Sequence, residues 1–146
     1  MANSIQKDVV GPDWPLGSIV VTVPGTPVGL MSLVDPTNSA APGTPVSDTN
    51  PKQYTVRCNQ IIFQGFKTNA GTGLVVNTGN IYIMKTAVGA GSGNRTDMGS
   101  IVAVIAPGQS FILEAPPIHG NVFTPYNYRI DADNANDAAQ VTLIIA

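Results

Sequence analysis

Apolar and polar residues alternate over short stretches in the second half of the chain. At residues 54–58, Tyr54, Val56 and Cys58 are separated by polar side chains, and a second apolar run follows at 61–66. A period of two is typical of a strand with one buried face. Further short apolar runs predict strands at residues 81–85, 101–106, 111–113, 126–130 and 141–145. No long stretch free of glycine and proline has a helical period, so we predict an all-β domain.

Turn-forming residues separate these apolar runs. The Asn77-Thr78-Gly79 sequence supplies residues that tolerate a positive φ, and Pro107-Gly108 predicts a type II turn. The run at 101–106 is apolar throughout, as expected of a strand that is covered on both faces. Many short strands joined by turns predict a single β-sandwich or jelly-roll-like domain over residues 54–146.

The first 53 residues differ in composition from the rest. Prolines recur from residue 24 to residue 51, with glycine, serine, threonine and asparagine between them. Because proline fixes φ and lacks a backbone donor, this stretch is not helical. We predict an extended, proline-rich N-terminal arm over residues 1–53. It contains one strand, at residues 19–23, where every residue is β-branched.

Several apolar residues of the predicted arm need burial, either on their own subunit or on a neighbour. The indole of Trp14 lies outside the predicted strands, and an exposed indole lowers solubility unless it docks on another surface. That surface is a neighbouring subunit or the chain's own domain. We predict that the arm binds neighbouring subunits through a set of apolar residues: Ile5, Val9, Val10, Trp14, Leu16, Leu30 and Met31.

Charge is scarce in this chain. Charged residues make up 11% of it, and the formal net charge is −2, whereas soluble domains have about 25% charged residues. This balance argues against a nucleic-acid partner, which requires a cationic surface. The apolar runs are too short to cross a bilayer, and the N-terminus lacks the features of a secretory signal. We therefore expect a protein that is made in the cytoplasm and has no membrane partner.

Candidate catalytic residues are few. The single histidine, His119, follows a proline pair and has no acidic residue near it in sequence. The chain also lacks the nucleophile-elbow motif of α/β-hydrolases. Its one cysteine, Cys58, forms neither an intrachain disulfide nor a thiolate zinc site. We therefore expect neither an enzymatic activity nor a cofactor.

The segment DADNAND, residues 131–137, is the most polar cluster. Asp131 and Asp133 occupy the first two ligand positions of an EF-hand loop, but the glycine at position six and the glutamate at position twelve are missing. Two interpretations remain open. One is a looser calcium site that uses Asp131, Asp133 and Asp137. The other is a turn whose Asx side chains cap their own backbone before the last strand.

Four strings of the sequence carry a resemblance to a known class of proteins. They are NTGNIYIM (77–84), APGQSFIL (106–113), YNYRIDADNANDAAQVTLIIA (126–146) and, in the arm, VPGTPVGLMSLVDPTNSAAPGTP (23–45). In their arrangement they resemble small virion structural proteins of tailed bacteriophages. The resemblance implies a capsid-associated β-sandwich, a decoration or cement protein, located in the virion. Its partners would be the major capsid protein or other virion subunits.

Three functions therefore stand as hypotheses. The first is capsid decoration by burial of the arm and of the sandwich edges against neighbouring subunits. The second is another virion component, in the tail, neck or fibre base. The third is a carbohydrate-binding module, suggested by tyrosines in predicted strands: Tyr54, Tyr82, Tyr126 and Tyr128. A decoration protein on capsid three-fold positions shares their symmetry, so we expect a homo-oligomer, with a trimer favoured and a dimer second.

Overall fold

A computed structural model describes residues 13–33, 57–85, 100–116 and 124–145 of the chain. They form ten strands and two short 3-10 turns, at Leu30–Leu33 and Pro125–Asn127. The strands are β1 (Asp13–Val20), β2 (Val28–Gly29), β3 (Cys58–Gln64), β4 (Phe66–Asn69), β5 (Gly73–Val76), β6 (Ile81–Lys85), β7 (Ile101–Ile105), β8 (Ser110–Glu114), β9 (Tyr128–Ala132) and β10 (Ala138–Ile145). Within these ranges, no helix is long and apolar enough to cross a membrane.

Eight of the strands form two four-stranded antiparallel sheets. The first sheet has the order β1-β10-β3-β8 and the second has the order β2-β9-β6-β7, while β4 and β5 form a separate hairpin. The pairing is nested along the chain. The first strand, β1, pairs with the last, β10. Moving inward along the chain, β2 pairs with β9, β3 with β8, and β6 with β7. This is the topology of a jelly roll, so the predicted all-β sandwich is confirmed.

The core lies between the inner faces of the two sheets. Phe63, Ile61 and Leu143 from the first sheet and Ile81, Ile83 and Ile130 from the second are fully buried there. Their positions alternate along each strand, as the pleat requires. Cys58 is also buried in this core, and its burial raises the pKa of the thiol to about 12. The thiol is therefore protonated and unreactive at neutral pH.

The N-terminal strand is longer than predicted and belongs to the sandwich. In place of the predicted strand at 19–23, β1 spans Asp13–Val20 and pairs with β10 along its length, with one register shift between Pro15 and Gly17. The prediction missed it because Pro15 and Gly17 interrupt the local pattern, and an edge strand tolerates both. Residues 13–33 of the predicted arm are therefore part of the domain, and residues 34–56 lie outside the described ranges.

The strand predicted to be covered on both faces is an edge strand. Val102 and Val104 of β7 are 39% and 52% exposed, and β7 has one neighbour, β6, in the described sheet. The strand that is buried on both faces is β9, which includes the charged residues Arg129 and Asp131. The hydrophobic run at residues 101–106 therefore gave a wrong prediction of which strand is covered on both faces. The position of a strand within a sheet depends on distant pairing partners, which a local run does not show.

Candidate interaction surface

Four connections between strands meet at one end of the sandwich: residues 21–27, 65–80, 106–109 and 133–137. Backbone hydrogen bonds join them. The Val21 N–H donates to the Asp137 carbonyl at 3.0 Å, and the Asn136 N–H donates to the Val21 carbonyl at 2.8 Å. The Gly65 N–H donates to the Gln109 carbonyl at 2.8 Å. We call this region the hairpin end, because the β4–β5 hairpin lies within the second connection.

The buried carboxylate of Asp137 is the main polar link within the hairpin end. It accepts hydrogen bonds from the backbone N–H of Thr78 at 3.0 and 3.1 Å, from that of Gly79 at 2.8 Å and from the Thr78 hydroxyl at 3.0 Å. Lys67 of β4 donates to it at 3.0 Å and forms an ion pair. One side chain thus connects the turn before β10 with the turn before β6 and with the hairpin.

These contacts change the acidity of Asp137. Burial on its own would raise the pKa of the carboxyl group, but the hydrogen bonds from Thr78, Lys67 and Gly79 stabilise the ionised form and hold the pKa below its ordinary value of 3.8. Asp137 is therefore ionised at neutral pH, and its interactions stabilise the folded protein there.

We expect acid to weaken the fold through Asp137. A folded-state pKa below the unfolded value stabilises the protein above the unfolded pKa, and this contribution is lost as the pH falls through the folded pKa. The free energy of unfolding in urea should therefore differ most between the wild-type chain and Asp137→Asn at neutral pH. This difference should become smaller below about pH 5. A gap that stays constant down to about pH 2 would contradict the assignment.

Two further side chains join the same two turns. The amide of Asn77 donates to the Ala138 carbonyl at 2.7 Å and accepts from the Ala138 N–H at 3.1 Å, so it continues the pairing of β10 beyond the strands. Asp133 accepts from the Asn80 N–H at 3.2 Å and from the Tyr82 hydroxyl at 2.9 Å. The turn before β6 is thus held at several points.

Gly79 is required in this turn by close packing rather than by its φ angle. Residues 77–79 are of types that tolerate a positive φ, but none of them has one. A Cβ on Gly79 would lie 2.7 Å from the Asn134 Nδ2 and 2.9 Å from the Asp133 Cβ. The predicted type II turn at Pro107-Gly108 is confirmed, with φ +76° at Gly108 and the Gln109 N–H donating to the Ala106 carbonyl at 3.0 Å.

Asp131 has a separate position, near the end of β9. Its buried carboxylate accepts from the Gly25 N–H at 2.9 Å and from its neighbour Ala132 at 2.8 Å. The connection between β1 and β2 is thereby held against the second sheet. This contact joins residues 106 positions apart in the sequence.

The carboxylates of the 131–137 segment therefore have different partners. Asp131 binds Gly25, Asp133 binds Asn80 and Tyr82, and Asp137 binds the turn at Thr78 and Gly79. In the part of the chain that the structure describes, no three Asp, Glu, His or Cys side chains come together as metal ligands, so the looser calcium site is not formed there. Asp131 accepts from the N–H of its neighbour Ala132, as the Asx-turn interpretation expects, while Asp133 and Asp137 also accept from the distant turn at residues 78–80.

The hairpin end exposes apolar side chains over this polar framework. Leu74 and Val76 on β5 are 56% and 50% exposed, and Val23 in the first connection is 58% exposed. Exposed β-branched and leucine side chains on well-anchored turns form a surface that loses little conformational entropy when another protein covers it. The hairpin end is therefore a candidate interaction surface.

The residues predicted to bind neighbouring subunits have mixed positions. Leu16, Leu30 and Met31 are buried in the core of their own sandwich, and Trp14, on β1, is partly buried against that core. Their burial therefore needs no second subunit, and Trp14 docks on its own domain. Ile5, Val9 and Val10 lie outside the residues that the structure describes, as does His119.

The tyrosines do not form an exposed platform in the described ranges. Tyr126 and Tyr128 are 3% and 5% exposed and belong to the core cluster, while Tyr82 is half-buried and donates to Asp133. Tyr54 lies outside these ranges. Stacking on a sugar ring requires an exposed aromatic face, so the geometry of these three tyrosines does not favour a carbohydrate site.

Comparison with known proteins gives no relative. No protein-family model matches the chain, and neither a curated protein nor a solved structure matches it significantly. The strand order defines the class of the chain as an all-β jelly-roll domain. The features that bear on its function are its exposed surfaces.

Proposed function

We propose that the chain is a virion structural protein of a tailed bacteriophage, a capsid decoration protein that stabilises the head by covering neighbouring subunits. The observation that carries this proposal is a jelly-roll sandwich with apolar side chains exposed at the hairpin end, at Val23, Leu74 and Val76. Jelly rolls serve viral capsids as well as lectins and cupins. The resemblance of four sequence strings to virion proteins favours the first of these uses.

The mechanism is burial of apolar surface without chemistry. Stable interfaces bury about 1,200–2,000 Å² in total. The exposed apolar residues of the sandwich supply part of this area, and the segment before β1, with Ile5, Val9 and Val10, supplies the rest by binding the major capsid protein or another virion subunit. Many copies on one shell convert a modest affinity into stable attachment through avidity.

The position of the protein in particles tests this proposal directly. Antibodies against the chain, followed by electron microscopy of purified particles, should label the whole head surface with many copies. Labelling confined to the tail, neck or fibre base would replace capsid decoration by the second hypothesis. A chain that does not copurify with particles at all would overturn the virion assignment.

Truncation tests the proposed role of the N-terminal segment. Because β1 begins at Asp13, deletion of residues 1–12 should leave the fold intact. Attachment to particles lacking the native chain should fall at least about tenfold, since three apolar side chains are lost. Deletion of residues 1–18 should also destabilise the sandwich, because it removes Trp14 and Leu16. Cosedimentation measures attachment and thermal unfolding measures the fold, and full attachment of the shorter deletion would contradict the role.

A further inference from the structure

Strand β7 is an unusual edge of the second sheet. Its sequence is Ile-Val-Ala-Val-Ile, and the chain has no charged residue from Ile101 to Leu113. Val102 and Val104 are exposed on it, and β6 is its one described neighbour. An uncharged edge strand of β-branched residues presents unpaired backbone groups that readily accept another strand.

The other three sheet edges each have a feature that limits strand addition. Strand β1 contains Pro15 and a register shift before Gly17. Strand β2 is two residues long. Strand β8 ends on the charged residue Glu114 shortly before Pro116. Proline, charge, shortness and bulges are the usual protections of an edge. Strand β7 has neither proline nor charge. Of these protections it has one, a register shift that leaves Val102 as an extra residue opposite the step from Ile83 to Met84.

We propose that β7 binds β7 of a second copy of this chain, as antiparallel strands related by a two-fold axis. The sequence of β7 reads the same in both directions. Antiparallel pairing about Ala103 therefore places Ile101 opposite Ile105 and Val102 opposite Val104 of the other copy. Such β-branched cross-strand pairs are favourable, and no like charges meet. The second sheets of the two copies then form one continuous eight-stranded sheet.

A second copy fits this edge better than an unrelated strand because the contact is self-complementary. In a two-fold interface the same surface is used by both partners, and because β7 reads the same in both directions, this pairing matches isoleucine with isoleucine and valine with valine. The main-chain hydrogen bonds supply affinity, as in other cases of strand addition. A two-fold contact closes a dimer. It concerns how two copies meet, and it holds whether or not the chain is a virion protein.

Charge placed on β7 tests the interface in solution. We expect wild-type protein to sediment at high concentration with about twice the chain mass of 15.1 kDa, and to dissociate on dilution, because a five-residue strand contact is small for a stable interface. Val104→Lys should be monomeric at every concentration, because each lysine would lie opposite the apolar Val102 of the other copy and diagonal to the second lysine, and charge on an edge strand opposes strand addition. Ile112→Lys is the matched control, since Ile112 is 50% exposed on the other apolar edge strand, β8, and it should still dimerise.

Cross-linking gives a second, independent measurement if Val104→Lys folds poorly. The double variant Val102→Cys/Val104→Cys should form an intermolecular disulfide under mild oxidation, because facing strand positions lie within disulfide distance. Ile112→Cys should not. Native Cys58 is fully buried and does not interfere.

The outcomes separate this inference from the proposed function. A monomeric or trimeric wild-type protein, a dimer that survives Val104→Lys, or equal loss of the dimer in both lysine variants would overturn the β7 contact. None of these results bears on the proposed virion function, which the attachment of the chain to particles tests separately.

Discussion

Replacement of Asp137 by alanine should destabilise the sandwich by about 3–5 kcal/mol, the range for breaking a buried ion pair on one side. The substitution leaves Lys67 without its partner and removes the acceptor for the N–H groups of Thr78 and Gly79. Each buried donor that loses its acceptor costs about 1–3 kcal/mol. Urea unfolding monitored by circular dichroism measures the change, and the melting temperature should fall by roughly 10 °C.

The matched control is Asp133→Ala, four residues earlier in the same segment. Asp133 accepts hydrogen bonds from Asn80 and Tyr82, but these bonds are exposed to solvent. Water replaces them when the carboxylate is removed, so the expected loss is below about 1 kcal/mol. Equal losses for the two variants would show that Asp137 is not the main link of the hairpin end.

Gly65→Ala is expected to give the second large loss, about 2–3 kcal/mol, the range for forcing extra atoms into a packed region. A Cβ at this position would lie 2.9 Å from the Ala106 carbonyl oxygen and 3.3 Å from the Gly108 nitrogen. Both contacts are backbone atoms, so no side chain can rotate away. The turn between β7 and β8 would have to shift, and with it the hydrogen bonds of Gly65 to Gln109 and Gly108.

Gly71→Ala separates steric overlap from backbone strain. Gly71 has φ +87°, and a Cβ at this position would meet no heavy atom within 4 Å. Its replacement therefore costs only the strain of a left-handed residue, about 1 kcal/mol. Thermal unfolding of both variants gives the comparison. If Gly65→Ala is no less stable than Gly71→Ala, the close approach of the β7–β8 turn is not a determinant of stability.

Much of the strand pattern could be predicted from the sequence. The strand at Ile81–Lys85 has its predicted limits, and the predicted runs near β7, β8, β9 and β10 differ from the structure by a few residues at their ends. The alternation of buried and exposed side chains is a local feature, so it is visible in the sequence as alternating apolar and polar residues. The β4–β5 hairpin escaped prediction because its exposed residues, Leu74 and Val76, do not alternate with polar ones.

The roles of the candidate residues were much less accessible from the sequence. The cluster at 131–137 was recognised, but its carboxylates bind segments 51 or more positions away. No local spacing reveals such partners. In the same way, Leu30 and Met31 were recognised as needing burial, and only the packing of the fold places them in their own core.

The sequence by itself determined the all-β class, the turn at Pro107-Gly108 and the low charge. The tertiary structure alone decided that β9 is central and β7 is an edge, and that Asp137 holds a distant turn. The physical reason is that whether a segment forms a strand depends mainly on residues within a few positions of each other. Strand order and hydrogen-bond partners depend on which distant segments pair, and nested pairing brings the two ends of this chain together.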